Sequence, residues 1–212
     1  MTSTKDKLLN SAEVLFAEQG FSETSLRLIT TVADVNLAAV NYHFGSKKEL
    51  IQSVIDRFFM AFTEHLEKEF DQLIRKNGDL TTEVILKSLL GPMLHLNEIR
   101  PDGAATFMRL LGRAYTESQG HIKKFLTAKY GHLLAQFKTL VHQANPALDN
   151  KDIFWRLHFI LGSLVFALAG HQALSDIAEA DLNEKVDTEG ILQRLIPFLT
   201  AAMQPSTQLT NE

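Results

Sequence analysis

The chain has 212 residues, of which 45% are hydrophobic, and a formal net charge of −4. This length allows one domain or two small ones with a buried core. The absence of cysteine excludes disulfides, thiolate metal sites and cysteine nucleophiles, and the acidic balance argues against nucleic-acid binding driven by bulk charge.

The N-terminal stretch MTSTKDKLLNSAEVLF interrupts its apolar positions with charged residues, so it lacks the apolar region of a secretory signal. The most apolar run, Phe159 to Gly170, is shorter than the roughly 18 residues that cross a bilayer. We therefore expect a cytoplasmic protein with no membrane partner. The apolar run is expected to be a buried helix.

Helical periodicity dominates the chain, which predicts an all-α fold. The first predicted helix covers about residues 5–19, and Gly20 is expected to end it. Its apolar residues recur at helical spacing and form one stripe, made of Leu8, Ala12, Leu15 and Phe16.

The second predicted helix begins after a capping residue, Thr24 or Ser25, and a turn over residues 34–36 ends it. Its inward positions are expected to be Leu26, Ile29 and Ala33. Asn36 is placed to cap a third helix over about residues 37–43.

A fourth helix is predicted after Gly45, opened by the capping-box spacing of Ser46 and Glu49 and continuing to about residue 75. Its length of roughly 40 Å would connect an N-terminal domain, residues 1–48, to a second domain, residues 49–203. Turn signals divide the rest of the chain into further helices, and about nine helices are predicted in all. A helix over about 152–175 is apolar on nearly every face, which indicates burial by neighbours or by another subunit. A final helix covers about 188–203, and residues 204–212 are predicted to be a disordered tail.

The third helix has the pattern of a recognition helix in a helix-turn-helix DNA-binding domain. Leu37, Val40 and Phe44 can form its buried side. Alanine permits close approach and can touch a thymine methyl, and asparagine can pair with adenine. The alternative is that this helix only packs a three-helix core. The residues left towards DNA bases and phosphates are Ala38, Ala39, Asn41, Tyr42 and His43, with Lys48 following.

The segments AEVLFAEQGFSETSLRLI and VADVNLAAVNYHFGSKKELI resemble the signature of TetR-family transcriptional regulators over about residues 5–55. The resemblance implies that the first three helices bind a palindromic operator in double-stranded DNA. It further implies a helical ligand-binding and dimerisation domain, with a homodimer formed through helices at about 152–175 and 188–203. Many members have Lys or Arg early in the third helix, where this chain has Leu37. Carried over by position, the DNA-contacting residues are Thr24, Ser25, Arg27, Asn36, Leu37, Ala38, Ala39, Asn41, Tyr42, His43 and Lys48.

Three later segments, FMRLLGRAYTESQGH, FWRLHFILG and LIPFLTAAM, resemble the PsrA group of TetR-like repressors, which control fatty-acid degradation genes. This resemblance implies a long-chain fatty acid or its acyl-CoA as the effector that releases DNA. An acyl tail requires an apolar slot, and its anionic head requires a cation. The candidate slot residues are Phe107, Met108, Leu111, Tyr115, Trp155, Phe159 and Phe166, and the candidate cations are Arg109, Arg113, Lys123 and Lys124.

Several alternatives remain open from the sequence. The apolar candidates can be ordinary core and the arginines surface ion-pair partners. The protein can instead be a regulator of efflux or other metabolism with a different hydrophobic ligand, a helical lipid carrier, or an acyl-CoA enzyme. Because the chain has no Gly-rich phosphate loop, nucleophile elbow or helical His-pair metal motif, we predict no enzyme activity, no cofactor and no metal.

Overall fold

The structure is a computed structural model that describes residues 3–76, 79–117 and 120–205. These residues form helices and no strands, which confirms the all-α prediction. They contain eleven helices, against about nine predicted, and most of the predicted tail, residues 206–212, lies outside them. The helices are α1 Thr4–Gln19, α2 Leu26–Val32, α3 Ala38–Phe44, α4 Lys47–Lys76, α5 Thr82–Ser88, α6 Leu90–Ile99, α7 Gly103–Thr116, α8 Gly120–Ala144, α9 Asn150–Ala169, α10 His171–Leu182 and α11 Thr188–Ala202.

The predicted helix over about 152–175 is two helices in the structure. Helix α9 ends at Ala169 and α10 begins at His171, with Gly170 between them. Glycine has a low helix propensity because its backbone loses the most entropy on ordering. None of the residues of α10 is buried within the chain.

Capping residues mark several ends of helices α1 to α3, and the N-cap of α3 is Leu37 rather than the predicted Asn36. The Ser25 Oγ accepts a hydrogen bond from the Leu28 N–H at 3.1 Å, so Ser25 rather than Thr24 caps α2. The Asn36 Oδ1 accepts from the Ala38 N–H at 2.9 Å at the start of α3. Gly20 ends α1 with a φ of +91°, a left-handed conformation that favours glycine.

The core of these three helices is made by the predicted apolar stripe. All four stripe residues of α1 are buried, which confirms that prediction. Ile29 of α2 and Val40 of α3 are fully buried as well. Large apolar side chains from three short helices therefore cover one another.

The chain forms two compact units. The first consists of Met1–Thr63 and His95–Gly131, and the second of Glu64–Leu94 and His132–Glu212. Helices α4, α6 and α8 contribute residues to both units. The predicted domain boundary at residue 48 remains a prediction.

Candidate DNA-binding surface and ligand site

The surface around α3 presents most of the predicted DNA-contacting side chains. Tyr42 is 85% exposed, and Ala39 and His43 are half-buried. The Tyr42 and His43 rings contact each other edge to face, with centroids 4.9 Å apart. The other exposed members of the predicted set are Ser25, Arg27, Asn36, Leu37, Ala38, Asn41 and Lys48.

Two residues differ from their predicted placement. Leu37 was expected on the buried side of the third helix, but it is the N-cap residue of α3 and is 39% exposed. Thr24 was placed among the DNA contacts, yet its side chain is fully buried. Its hydroxyl donates to the Gly20 carbonyl at 2.7 Å and lies 3.2 Å from the Leu15 carbonyl. Thr24 therefore ties α1 to the turn before α2.

The end of α7 binds the turn between α1 and α2 within the first unit. The two Glu117 carboxylate oxygens accept hydrogen bonds from the Phe21 N–H at 3.1 Å and the Ser22 N–H at 2.8 Å. A Cβ at Gly20 would collide with this carboxylate, so the close approach requires glycine there.

Arg113, one turn earlier on α7, donates to the Glu18 carbonyl at 3.0 Å. We call Arg113 and Glu117 the α7 clamp. Sequence reasoning missed Glu117, because its partners are 95 and 96 residues away and no local pattern marks such a pair.

A buried carboxylate provides a second polar connection to α1. Glu13 is fully buried and forms ion pairs with Arg57 of α4, at 3.3 Å, and with Arg100. Burial lowers the pKa of the Arg100 guanidinium, and the charge of Asp102 opposes this shift. Removing one partner of a buried ion pair leaves an uncompensated charge, so the cluster restricts where α1 can lie.

His121, at the start of α8, lies near the first turn of α4. Burial lowers its pKa, the charge of Lys48 lowers it further, and Glu49 partly opposes the shift. Among the residues that the structure describes, the buried His121 Nε2 has no hydrogen-bond partner. The neutral imidazole is therefore the favoured form next to a predicted phosphate-contacting lysine.

In the first unit, one of the ligand-site candidates on α7, Phe107, belongs to a packed aromatic cluster. Phe107 and Met108 are buried. The centroid of the Phe107 ring lies 5.9, 5.1 and 5.6 Å from the ring centroids of Phe58, Phe59 and Phe62 of α4, respectively. Arg109, Leu111 and Arg113 are half-buried, and Tyr115 is exposed.

Tyr130 of α8 stacks on Phe59 at 5.4 Å and extends this cluster. Its hydroxyl donates to Asp56 at 2.7 Å, and Lys129 forms an ion pair with the same carboxylate. Burial raises the pKa of the Tyr130 hydroxyl, and the Asp56 hydrogen bond raises it further, so Tyr130 remains a neutral donor. The two lysines among the candidate cations, Lys123 and Lys124, are exposed on α8.

The remaining candidates, Trp155, Phe159 and Phe166, lie on α9 in the second unit and are exposed. The structure therefore divides the predicted slot between the two units. The expectation of a buried apolar run is wrong for the single chain, because the Phe159 and Phe166 side chains are 65% and 78% exposed. An open apolar depression of about 540 Å³ is lined by His158, Phe159, Gly162, Ser163, Phe166, Leu195 and Phe198.

Helix α9 is also long and apolar enough to span a bilayer by length and composition alone. A helix covered by another protein surface satisfies the same criterion, so this finding is weak evidence for a membrane span. Within residues 3–76, 79–117 and 120–205, no group of three or more His, Asp or Glu side chains is arranged to hold a metal ion.

Two family models match the chain. One, described as "Bacterial regulatory proteins, tetR family", matches residues 8–54, which include most of α1 and all of α2 and α3. The other, "Tetracyclin repressor-like, C-terminal domain", matches residues 87–202, more than half of the chain. The chain belongs to the TetR family. The segment that the tetR family model matches includes α3, the helix that presents Asn41 and Tyr42.

Curated relatives match about a third of the chain. The probable HTH-type transcriptional regulator YttP of Bacillus subtilis is 43% identical over 65 residues, which are 31% of this chain and 31% of YttP. The HTH-type transcriptional repressor NicS of Pseudomonas putida is 33% identical over 61 residues, 29% of each chain. The match thus spans about a third of the length of these relatives.

Solved structures match nearly the whole chain. A putative tetR family transcription regulator from Shewanella sp. PV-4 has a TM-score of 0.64 at 18% identity, covering 95% of this chain and 98% of that one. The fatty acid degradation regulator FadR from Bacillus halodurans has a TM-score of 0.60 at 15% identity, with 98% of each chain covered. At these identities the likeness shows a shared fold.

Proposed function

We propose that this chain is a homodimeric, cytoplasmic transcriptional repressor that binds a palindromic operator and is released by a long-chain fatty acid or acyl-CoA. The observation that carries the proposal is the exposed face of α3. Asn41 and Tyr42 project from a fully covered three-helix core, inside the segment that the tetR family model matches. A side chain that only held the core together would be buried.

The DNA contacts follow from this exposed face. Asn41 reads a base edge, and the exposed Ser25, Arg27, Tyr42 and Lys48 contact the phosphate backbone. With few cations available, affinity depends on their placement. The exposure of the polar residues around α3 supports this role.

Dimerisation places two copies of α3 in successive major grooves, about 34 to 36 Å apart. Helices α9 and α11 expose aromatic side chains, which include Phe159, Phe166 and Phe198 of the apolar depression. This exposure supports a dimer interface in which a second copy of the chain covers them. Large contiguous apolar patches on a soluble protein usually mark an interface. The same patch on both copies forms a two-fold interface.

The effector assignment rests on the resemblance of three C-terminal segments to the fatty-acid-responsive group and on the chemistry of α7. The aromatic cluster around Phe107 supplies an apolar lining, and Arg109 and Arg113 supply cations. An anionic head that draws Arg113 from the Glu18 carbonyl would loosen the α7 clamp. For a tenfold loss of operator affinity, the effector must favour the released state by about 1.4 kcal/mol.

The test of DNA binding uses DNA from upstream of the chain's own gene. Tyr42→Ala combined with Lys48→Ala should weaken specific binding by at least about tenfold, because it removes two exposed contacts in each subunit. Lys138→Ala, which removes an exposed lysine of α8, is the matched control. Unchanged affinity in the double variant would contradict the proposal.

The test of the effector titrates the same complex with oleate and with oleoyl-CoA. Release by either ligand supports the lipid assignment, and the comparison separates the free acid from the thioester. If neither lipid releases the DNA while an unrelated aromatic compound does, the lipid assignment is wrong and the repressor assignment stands.

A further inference from the structure

The segment around α3 has almost no charge. Between residues 28 and 46 the only acidic side chain is Asp34, and there is no Lys or Arg. Guanine is most often read by a lysine or arginine that reaches its O6 and N7 atoms. Lys47, the nearest following cation, is half-buried and donates to the Ser22 carbonyl at 3.3 Å. Helix α3 therefore presents no side chain suited to that contact.

The same face presents apolar groups. Leu37, Ala38 and Asn41 are all exposed, and their spacings of three and four residues place them on one side of the helix. Ala39 is half-buried beside them. The only apolar group that a base pair offers in the major groove is the C5 methyl of thymine.

The two asparagines of the segment differ in what they can still bind. The Asn36 Oδ1 already accepts from the Ala38 N–H, which uses one of its two acceptor sites and holds the side-chain amide against the start of α3. The side-chain amide of Asn41 makes no hydrogen bond to the rest of the described chain. Asn41 can thus donate and accept at once, as the N7 and N6 atoms of adenine require.

We infer that each operator half-site is read through A·T base pairs, with thymine methyls packed on Leu37 and Ala38 and an adenine paired with Asn41. This inference rests on the proposed DNA-binding function and specifies the chemistry of its substrate. Helix α3 makes no bidentate contact to guanine.

The experiment begins with an operator selected from random duplex DNA by the full-length chain. Each thymine is then replaced by deoxyuridine, which removes only the C5 methyl, and the Kd is measured by fluorescence anisotropy at one salt concentration. We expect a loss of about fourfold at each contacted thymine, the effect of exposing one methyl-sized group. Replacing guanines by 7-deazaguanine, which removes N7, should leave the Kd unchanged opposite α3.

A protein variant assigns the contact. Leu37→Ala should reduce the difference between thymine and deoxyuridine at one position of each half-site, because less apolar surface meets the methyl. Leu134→Ala, which shortens an exposed leucine of α8, is the matched control and should keep the full difference. The deoxyuridine series uses the unaltered chain, so the test does not depend on the folding of either variant.

A specific complex that tolerates deoxyuridine at every position would overturn the inference while leaving the proposed function intact. A loss of affinity with 7-deazaguanine opposite α3 would also overturn it, because guanine would then be read directly. If no sequence-specific complex forms with any DNA, the proposed function and this inference are both wrong.

Discussion

Helices α1 to α3 and helices α9 to α11 are both rich in large apolar residues, but they use them differently. In the first group, Leu8, Phe16, Ile29 and Val40 are fully buried within the chain. In the second group, the aromatic residues of α9 and α11 are exposed, with Phe166 the most exposed. Hydropathy alone does not distinguish a side chain covered by its own chain from one that a second copy covers.

The two regions should therefore respond differently to the same kind of change. Deleting a side chain from a packed core loses its transfer free energy and leaves a cavity. Deleting an exposed aromatic side chain has a small effect within one chain and acts on association instead. Association also makes the apparent stability depend on protein concentration.

The largest effect is expected for Phe16→Ala in α1. This ring is fully buried and lies 5.3 Å from the Phe21 ring. Its removal should lower the free energy of unfolding by about 3 to 5 kcal/mol, measured by urea denaturation. A change below about 1 kcal/mol would show that α1 to α3 are not held by their own core.

Phe166→Ala in α9 is the counterpart in the second region. The free energy of unfolding of a single chain should change by less than about 0.5 kcal/mol. The free energy of dimerisation should become weaker by about 2 kcal/mol or more, because the substitution occurs twice in a two-fold interface. Analytical ultracentrifugation over a range of concentrations measures the dimer Kd. An unchanged Kd would place the dimer interface elsewhere.

Glu117→Ala tests whether α1 to α3 also depend on α7. Two backbone N–H groups, those of Phe21 and Ser22, lose a charged acceptor. We expect the free energy of unfolding to fall by about 1 to 3 kcal/mol and hydrogen exchange at these two amides to become faster. Glu117→Gln, which keeps one acceptor oxygen, should lose less.

Glu23→Ala, an exposed glutamate in the same turn, is the control for Glu117→Ala and should leave exchange at Phe21 and Ser22 unaltered. Equal exchange in the Glu117→Ala and Glu23→Ala variants would show that the α7 clamp does not hold the turn.

The smallest effect is expected from protonation of His121. Its folded pKa lies below the ordinary value of 6.5, because burial and Lys48 disfavour the charged ring. Its contribution to stability is therefore fully present above about pH 6.5 and is lost as the pH falls through the folded pKa. The urea unfolding midpoint of the unaltered chain should therefore fall relative to that of His121→Gln as the pH falls. A constant difference between pH 8 and pH 5 would contradict this assignment.

Several local features were predictable because short-range chemistry specifies them. The C-terminus of α1 follows from Gly20, the start of α2 follows from Ser25, and the stripe of α1 follows from helical spacing. The break at Gly170 was missed, since one glycine within a long apolar pattern does not reveal whether a helix continues. The exposure of Leu37 was missed because helical spacing alone does not show whether another segment of the chain covers a side chain at the start of α3.

By itself, the sequence determined the all-α class, the three-helix N-terminal core and most of the residues presented around α3, because periodicity and capping act over a few residues. Tertiary structure decided that Glu117 binds the turn after α1, that Glu13 is buried between two arginines, and that the aromatic residues of α9 remain uncovered in one chain. These outcomes depend on which distant segments meet, and no short-range pattern records that choice.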